Sequence, residues 1–392
     1  MTPNILTGLE SLMASPPKEL FDSRMGLLCN PASVDSRLNH AKTCLHHTFP
    51  GALTALFSPQ HGLFAEKQDN MIESDHMIDP VSGIPVFSLY GETRIPTQAM
   101  FDHIDTLIID IQDVGTRVYT FIYTMAHCME AAKKFNKKII VCDRPNPING
   151  IHVEGNCLSP EYASFVGLYP IPMRHGLTIG ELALFFNDRF GIHCDLEVIP
   201  MKGWKRGMGF DETGLPWVAP SPNMPTPVTA LVYPGQVLLE GTNLSEGRGT
   251  TQPFELFGAP FIRHEALRPH LSENSFPGVF LRETVFEPTS NKWQGEPCCG
   301  FQIHVTDSSI YQPYITTLKL LAAIIATHPE FAWKQPPYEY EYELMPFDML
   351  IGYGRIRRRI EDGEDLNALE TSWQSGLRDF MDDCRGFLLY GD

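Results

Sequence analysis

The sequence has no hydrophobic run long enough to cross a bilayer and no excess of positive charge. Its longest apolar stretch covers only residues 320–326, whereas a membrane-spanning helix needs about 20 apolar residues. Thirty Lys and Arg side chains stand against 47 Asp and Glu side chains, giving a formal net charge of −17. Such a charge repels nucleic-acid backbones and anionic membranes. We therefore expect no nucleic-acid partner and no membrane insertion.

Signals for export, disulfides and bound cofactors are also missing. The first twenty residues contain no basic segment followed by a sustained apolar core, so we expect a cytoplasmic protein, or one whose export signal has been removed. Nine cysteines without a C-x-x-C pair favour buried thiols over disulfides or structural zinc. No G-x-G-x-x-G follows a predicted strand, and there is no Walker A loop, G-x-S-x-G elbow or H-E-x-x-H helix. We predict neither a cofactor nor a metal, and the sequence assigns no oligomeric state.

What is present is an alternation of short apolar runs and helical patterns, which is typical of an α/β protein with a parallel sheet. We predict strands over 25–29, 52–57, 106–111 and 138–142, and helices over 36–46, 119–135 and 178–190. Thr178 followed by Glu181 is the pattern of a capping box at the last of these helices.

The chain is too long for one hydrophobic core, so we expect two domains. Residues 215–235 contain six prolines and little helical periodicity, which predicts an ordered crossover. Beyond it we predict a strand over 301–307 and helices near 315–327 and 366–384. We place the boundary near Thr226, with one domain over 1–226 and a smaller one over 227–392.

Polar residues cluster where the four predicted strands end. Ligands of such sheets bind beyond the carboxyl ends of the strands, so four polar strand ends together predict one binding crevice. A single residue of this kind would more often be a helix cap or a turn former. The residues concerned are Asn30, Gln60, His61, Asp110, Gln112, Asp113, Asp143, Arg144 and Asn146.

The same segments, together with others in fixed order, carry a family resemblance. In sequence they read FSPQHG, PVFSLYGETR, DIQDVGTRVYTFIYTM, DRPNPI, VEGN, FVGLYPIPMRHGLTIGEL, MKGWKR, SPNMPT, LVYPG, EGTNLSEGRGTTQPFE and FGAPF. This series resembles the exo-β-N-acetylmuramidases over nearly the whole chain. The resemblance implies a Rossmann-like N-terminal domain and an α+β C-terminal auxiliary domain that completes a cleft. It also implies release of N-acetylmuramic acid (MurNAc) from the non-reducing ends of peptidoglycan fragments.

The implied substrate calls for three kinds of protein group. An acid must protonate the leaving oxygen, polar groups must hold the acetamido group and the hydroxyls, and a cation should meet the lactyl carboxylate. Each candidate cation lies inside a resembling motif, and the set is Arg117, Arg144, Arg174 and Arg248. Three further candidate substrate-binding residues in these motifs are His175, Asn223 and Glu246.

Residue 60 departs from the family pattern. The family motif reads P-E-H-G, and the resemblance implies that its glutamate is the catalytic acid, whereas this chain has Gln60. An amide can donate a hydrogen bond but cannot deliver a proton as a carboxylic acid does. Two hypotheses follow: a glycosidase with a displaced acid, or a catalytically weak binder of muropeptides and amino sugars. Among the possible replacements we favour Glu66; the others are His61, Asp110, Asp113 and Glu154.

Overall fold

The computed structural model describes residues 5–68, 71–271 and 276–391. Its strands are β1 (Met25–Cys29), β2 (Leu53–Ser58), β3 (Met77–Ile78), β4 (Pro85–Ser88), β5 (Thr106–Asp110), β6 (Lys138–Cys142), β7 (Glu154–Cys157), β8 (Pro172–Arg174), β9 (Asp195–Ile199), β10 (Leu256–Ala259), β11 (Val279–Phe286) and β12 (Cys298–Val305). Its helices are α1 (Gly8–Ala14), α2 (Ala41–Thr48), α3 (Gln98–Phe101), α4 (Phe121–Phe135), α5 (Ile179–Arg189), α6 (Phe210–Thr213), α7 (Pro227–Gln236), α8 (His264–Leu267), α9 (Pro313–Thr327), α10 (Pro346–Ile351), α11 (Arg355–Glu361) and α12 (Leu366–Cys384).

A seven-stranded sheet organises the first half of the chain. Its strand order is β3-β4-β2-β1-β5-β6-β9, and every neighbouring pair is parallel except β3 with β4. β1 and β5 are buried along their whole length, as expected for strands covered by helices on both faces. The predicted α/β fold class and the four predicted strands are confirmed, with bounds that differ by at most one residue.

Hydrogen bonds between side chains and nearby backbone amides form the cap of α5 and a turn before α2. The capping box of α5 is present, because Thr178 Oγ1 accepts from the Glu181 amide and Glu181 Oε2 accepts from the Thr178 amide. The predicted start of the earlier helix at residue 36 is wrong, since α2 begins at Ala41. Asp35 Oδ1 accepts from the amides of Arg37 and Asn39, which holds that segment in a turn instead.

The second half contains the antiparallel sheet β10-β12-β11, and its helices α9 and α12 pack against each other. Residues 227–236, which we predicted to be non-helical crossover, form α7. Pro227 occupies the first turn, where its missing amide costs nothing, and Thr226 caps the helix by accepting from the Thr229 amide. The position of the domain boundary near Thr226 stays a prediction.

The two halves are joined by more than the chain connection. α12 packs against β7, and the C-terminal segment returns to the large sheet, where the Tyr390 hydroxyl donates to Asp143 Oδ2 at 2.5 Å. Within the described residues, no helix is long and apolar enough to cross a membrane, and no cluster of three His, Cys, Asp or Glu side chains could hold a metal ion.

Candidate active site

A cleft lies where the β2 end of the large sheet meets the second half of the chain. The first half contributes the segment after β2, the start of α4 and the crossover before α7. The second half contributes α7, the segment after it and the loop between α9 and α10. The polar side chains in its lining are Gln60, His61, Tyr119, Thr120, Ser221, Asn223, Tyr233, Glu240, Arg248, Tyr338 and Glu339.

Gln60 is oriented by two hydrogen bonds across the cleft. The Thr120 hydroxyl donates to Gln60 Oε1 at 2.8 Å, so the amide group must point its Nε2 the other way. There Nε2 donates to Glu339 Oε1 at 3.4 Å. The following residue, His61, has a φ of 76° and its Nδ1 lies 2.8 Å from the Lys67 carbonyl oxygen. Gln60 therefore lies in direct hydrogen-bond contact with the Glu339 carboxyl group.

Glu339 is a buried carboxyl, only 4% exposed. Besides Gln60, it accepts from the Tyr90 hydroxyl at 2.8 Å, and the Arg94 guanidinium lies 4.0 Å from its Oε2. Burial, aided by the charge of Glu240, raises the pKa of Glu339, because together they outweigh the hydrogen bonds and Arg94. This carboxyl is therefore more easily protonated than an exposed glutamate.

Glu240 is the other carboxyl in the cleft lining, and its surroundings act in the opposite direction. Burial alone would raise its pKa, but Arg248 and the hydrogen bonds from Tyr338 and Arg248 outweigh burial, so the pKa is lowered. Arg248 Nη2 donates to Glu240 Oε1 at 2.7 Å, and the Tyr338 hydroxyl donates to Oε2 at 2.6 Å. Two carboxyls whose pKa values are pushed apart are typical of acid and base roles in one active site.

The strand-end residues around β1, β5 and β6 do not line the cleft. Asp110 and Arg144 form a buried ion pair with two hydrogen bonds of 2.6 and 2.8 Å. Asn30 donates to the Gln112 carbonyl oxygen at 3.1 Å, and Gln112 donates to the Pro145 carbonyl oxygen at 2.9 Å. These groups use their polar atoms to join neighbouring strand ends, so the structure does not bring them to the cleft that Gln60 and His61 line.

Two more of these strand-end residues are occupied in fixing helix and turn geometry. Asp143 accepts from the Thr178 hydroxyl at 2.8 Å and from the Gly180 amide at 2.8 Å, at the first turn of α5. Burial raises its pKa to about 7. Asn146 donates to the Leu177 carbonyl oxygen at 3.0 Å and accepts from the Ile148 amide. Their contacts within the fold give no support for substrate binding.

The predicted arginines differ sharply in what they contact. Arg117 is fully buried and donates to four backbone carbonyl oxygens, two of them in α10, at 2.8 to 3.1 Å. Arg174 is also buried and donates to the Ile148 carbonyl oxygen. Arg248 alone of the four candidates lines the cleft, and it also lies 3.3 Å from Glu246, which binds Lys292 at 2.8 Å.

The remaining candidate carboxyls also lie outside the cleft lining. Asp113 accepts from the Gly115 amide at 2.7 Å and lies 3.3 Å from His175 Nε2. Glu154 accepts from the Ile315 amide at 3.0 Å, and burial raises its pKa to about 7. Glu66, our favoured replacement acid, is exposed and accepts from the Phe64 amide within its own loop. Glu66 therefore lies outside the cleft lining, whereas Glu339 is part of it.

Family models match both halves of this chain. The model described as "Exo-beta-N-acetylmuramidase NamZ, N-terminal" matches residues 25–228, and the corresponding C-terminal model matches residues 231–390. The chain belongs to the NamZ exo-β-N-acetylmuramidase family.

Relatives of the NamZ family match the chain over nearly its whole length. The peptidoglycan β-N-acetylmuramidase NamZ of Bacillus subtilis (strain 168) is 46% identical over 389 residues, which is 99% of this chain and 92% of the relative. Crystal structures of two DUF1343 family proteins from Bacteroides fragilis NCTC 9343 have TM-scores of 0.85 and 0.77. Their identities are 35% and 29%, and 99% of each chain is covered.

Sequence reasoning placed Gln60, His61, Asn223 and Arg248 in the site, and the structure brings these four to one cleft. It missed the two carboxyls that face them. Glu240 opens the family segment EGTNLSEGRG, so that segment contained a usable signal. Glu339 lies in the run PPYEYEYE, where several glutamates alternate with aromatics and nothing local distinguishes one from the next.

Proposed function

We propose that this chain is an exo-acting β-N-acetylmuramidase that releases MurNAc from the non-reducing ends of peptidoglycan fragments. The observation that carries the proposal is the pair of buried carboxyls in one cleft, with the pKa of Glu339 raised and that of Glu240 lowered. Glycoside hydrolysis needs a protonated carboxyl and an ionised one near the same bond. Membership of the NamZ family supports this substrate class.

The exo mode can be tested with glycan chains that differ only at the non-reducing end. We expect a chain that begins with MurNAc to lose that sugar, and a chain that begins with N-acetylglucosamine (GlcNAc) to remain intact. Mass spectrometry of the products gives the answer. Cleavage inside either chain would contradict the exo mode, and binding of the first chain without any product would support a sugar-binding protein instead.

Within this function we propose Arg248 as the group that recognises the lactyl carboxylate. Its Nη1 is buried and has no hydrogen-bond partner among the described residues, while its other nitrogens are held by Glu240 and Glu246. A guanidinium fixed in this way is oriented before substrate arrives. A planar guanidinium can also bind a carboxylate with two parallel hydrogen bonds, which an ammonium cannot do.

The conservative variant Arg248→Lys tests this role because it keeps the positive charge beside the two glutamates. We expect kcat/KM for a chromogenic MurNAc glycoside to fall by about tenfold or more, with little change for the matching GlcNAc glycoside. Arg263→Lys, at an exposed pair with Glu330, is the control. An unchanged preference between the two glycosides would exclude Arg248 from lactyl recognition.

A further inference from the structure

We propose that Glu339 is the proton donor of the reaction and that Gln60 positions it, so the acid has moved from the first half of the chain to the second. This inference rests on the proposed function and assigns a residue to its chemical step. Among the described residues that line the cleft, only Glu240 and Glu339 carry carboxyl groups. Glu240 is held as an anion by Arg248, which leaves Glu339 to supply the proton.

The turn that carries Glu339 is a second and independent observation. Tyr338 and Glu341 exchange two backbone hydrogen bonds of 2.9 Å, so Glu339 and Tyr340 are the central residues of a two-residue turn. Both have positive φ, 48° and 65°. Such turns favour Asn-Gly or Asp-Gly, because Cβ crowds the backbone at positive φ, glycine has no Cβ, and Asn and Asp can form local hydrogen bonds there. A glutamate and a tyrosine here contradict local preference, as is typical of functional positions.

The hydrogen bonds that Glu339 accepts from Gln60 and Tyr90 do not use its own proton. Its two oxygens each accept one hydrogen bond, from Gln60 and from Tyr90. A protonated carboxyl can accept both of these and still donate its own hydrogen. Since Glu339 lines the cleft, that hydrogen can be donated to a bound substrate.

The amide at residue 60 fits this arrangement better than a carboxylate would. A glutamate there would face Glu339 at the distance now set by the Gln60 hydrogen bond, 3.4 Å, and two carboxyls so close share a single proton. Gln60 instead donates through Nε2 and is locked by Thr120. The substitution therefore removes the like charge while retaining a hydrogen bond that orients Glu339.

The proposed reaction consumes one water molecule for each glycosidic bond that breaks. Protonated Glu339 gives its proton to the glycosidic oxygen as the bond between that oxygen and C1 breaks, and the bonding electron pair leaves with the oxygen. A water oxygen bonds to C1, and the proton that this water loses replaces the one that Glu339 gave up. The products are free MurNAc and a sugar with a new hydroxyl group, and the protein is unchanged.

The test is the dependence of Glu339→Gln on the leaving group. Wild type, Glu339→Gln and the neighbouring control Glu341→Gln are compared by kcat/KM on MurNAc–GlcNAc and on the nitrophenyl glycoside of MurNAc. An activated leaving group needs little protonation, so Glu339→Gln should lower kcat/KM about 10³-fold on the disaccharide and far less on the nitrophenyl glycoside. The ratio between the substrates does not depend on how much of the variant is folded.

The alkaline fall of the disaccharide rate should also vanish in Glu339→Gln, whereas Glu341→Gln should behave as wild type. Equal losses on both substrates, or no loss, in an active enzyme would overturn the role of Glu339 and leave the proposed function standing. A wild type that hydrolyses neither substrate would overturn the proposed function and this role together.

Discussion

Replacing Arg94 with methionine tests the electrostatic control of Glu339. The guanidinium lies 4.0 Å from Glu339 Oε2 and stacks 3.7 Å from the centre of the Phe165 ring. Methionine keeps an apolar side chain against Phe165 but removes the charge. Because a nearby positive charge stabilises the carboxylate, Arg94 lowers the pKa of Glu339. Its removal should therefore raise that pKa.

The magnitude follows from Coulomb's law. Two unit charges 4.0 Å apart interact by about 1 kcal/mol in water and about 4 kcal/mol at an effective dielectric constant of 20. The Arg94 side chain is 27% exposed, so solvent screening places the interaction near the lower value. One pKa unit corresponds to about 1.36 kcal/mol, and we expect a shift of about one unit.

The assay is the pH profile of kcat/KM on MurNAc–GlcNAc. Activity needs protonated Glu339, so the rate falls as pH rises through the pKa of Glu339 in the free enzyme. In Arg94→Met this alkaline limb should move to higher pH by about one unit. Arg24→Met, which removes an exposed arginine beside Asp105 at the opposite end of β1, is the control. A limb that stays in place, or moves to lower pH, would show that Arg94 does not lower the pKa of the group that limits the rate.

Three further variants are informative. Gln60→Glu should leave the disaccharide rate within about tenfold of wild type and move the alkaline limb of its pH profile to higher pH, since the two carboxyls would share a proton. If wild type is instead inert and Gln60→Glu gains turnover by orders of magnitude, the natural chain is a family member that has lost its catalytic acid. Glu66→Gln should leave kcat/KM within about twofold, because the exposed carboxylate has no catalytic role in this account; a loss of 10²-fold or more would restore Glu66 as the acid. Glu154→Gln should reduce the decrease in the free energy of unfolding between pH 5 and pH 8. The pKa of Glu154 in the folded protein is raised to about 7. The wild type therefore has the full stabilising contribution of this group below its unfolded pKa and loses it as pH rises through about 7. Denaturant melts at both pH values measure this, and an unchanged slope would refute it.

The parallel sheet was predictable from sequence because its signals are local. β1 and β6 have the bounds that their apolar runs predicted, 25–29 and 138–142. A strand that is buried on both faces appears in the sequence as a continuous apolar run. The start of α5 was predictable for the same reason, because Thr178 and Glu181 satisfy each other three residues apart. Helix α7 was not, because its two prolines argue against a helix in the sequence, although Pro227 is compatible with the first turn and Pro234 is accommodated inside the helix.

Residues of the site were predictable only where they follow a strand of that sheet. Gln60 follows β2 and was found by the rule that ligands bind beyond strand ends, but Asp110 and Arg144 follow the same rule and instead neutralise each other. Whether a strand-end charge faces a cleft or a neighbour depends on tertiary pairing. Glu339 illustrates the limit, since it meets Gln60 across 279 residues of sequence from a turn whose conformation its residue types disfavour.

The number of MurNAc molecules that one protein molecule releases from MurNAc–GlcNAc distinguishes a glycosidase from a sugar-binding protein. Wild-type protein is incubated with an excess of the disaccharide, and free MurNAc and GlcNAc are quantified over time by chromatography. We predict that equal amounts of both sugars accumulate linearly to many times the protein concentration. Retention of intact disaccharide, with at most one molecule bound per protein, would contradict this prediction.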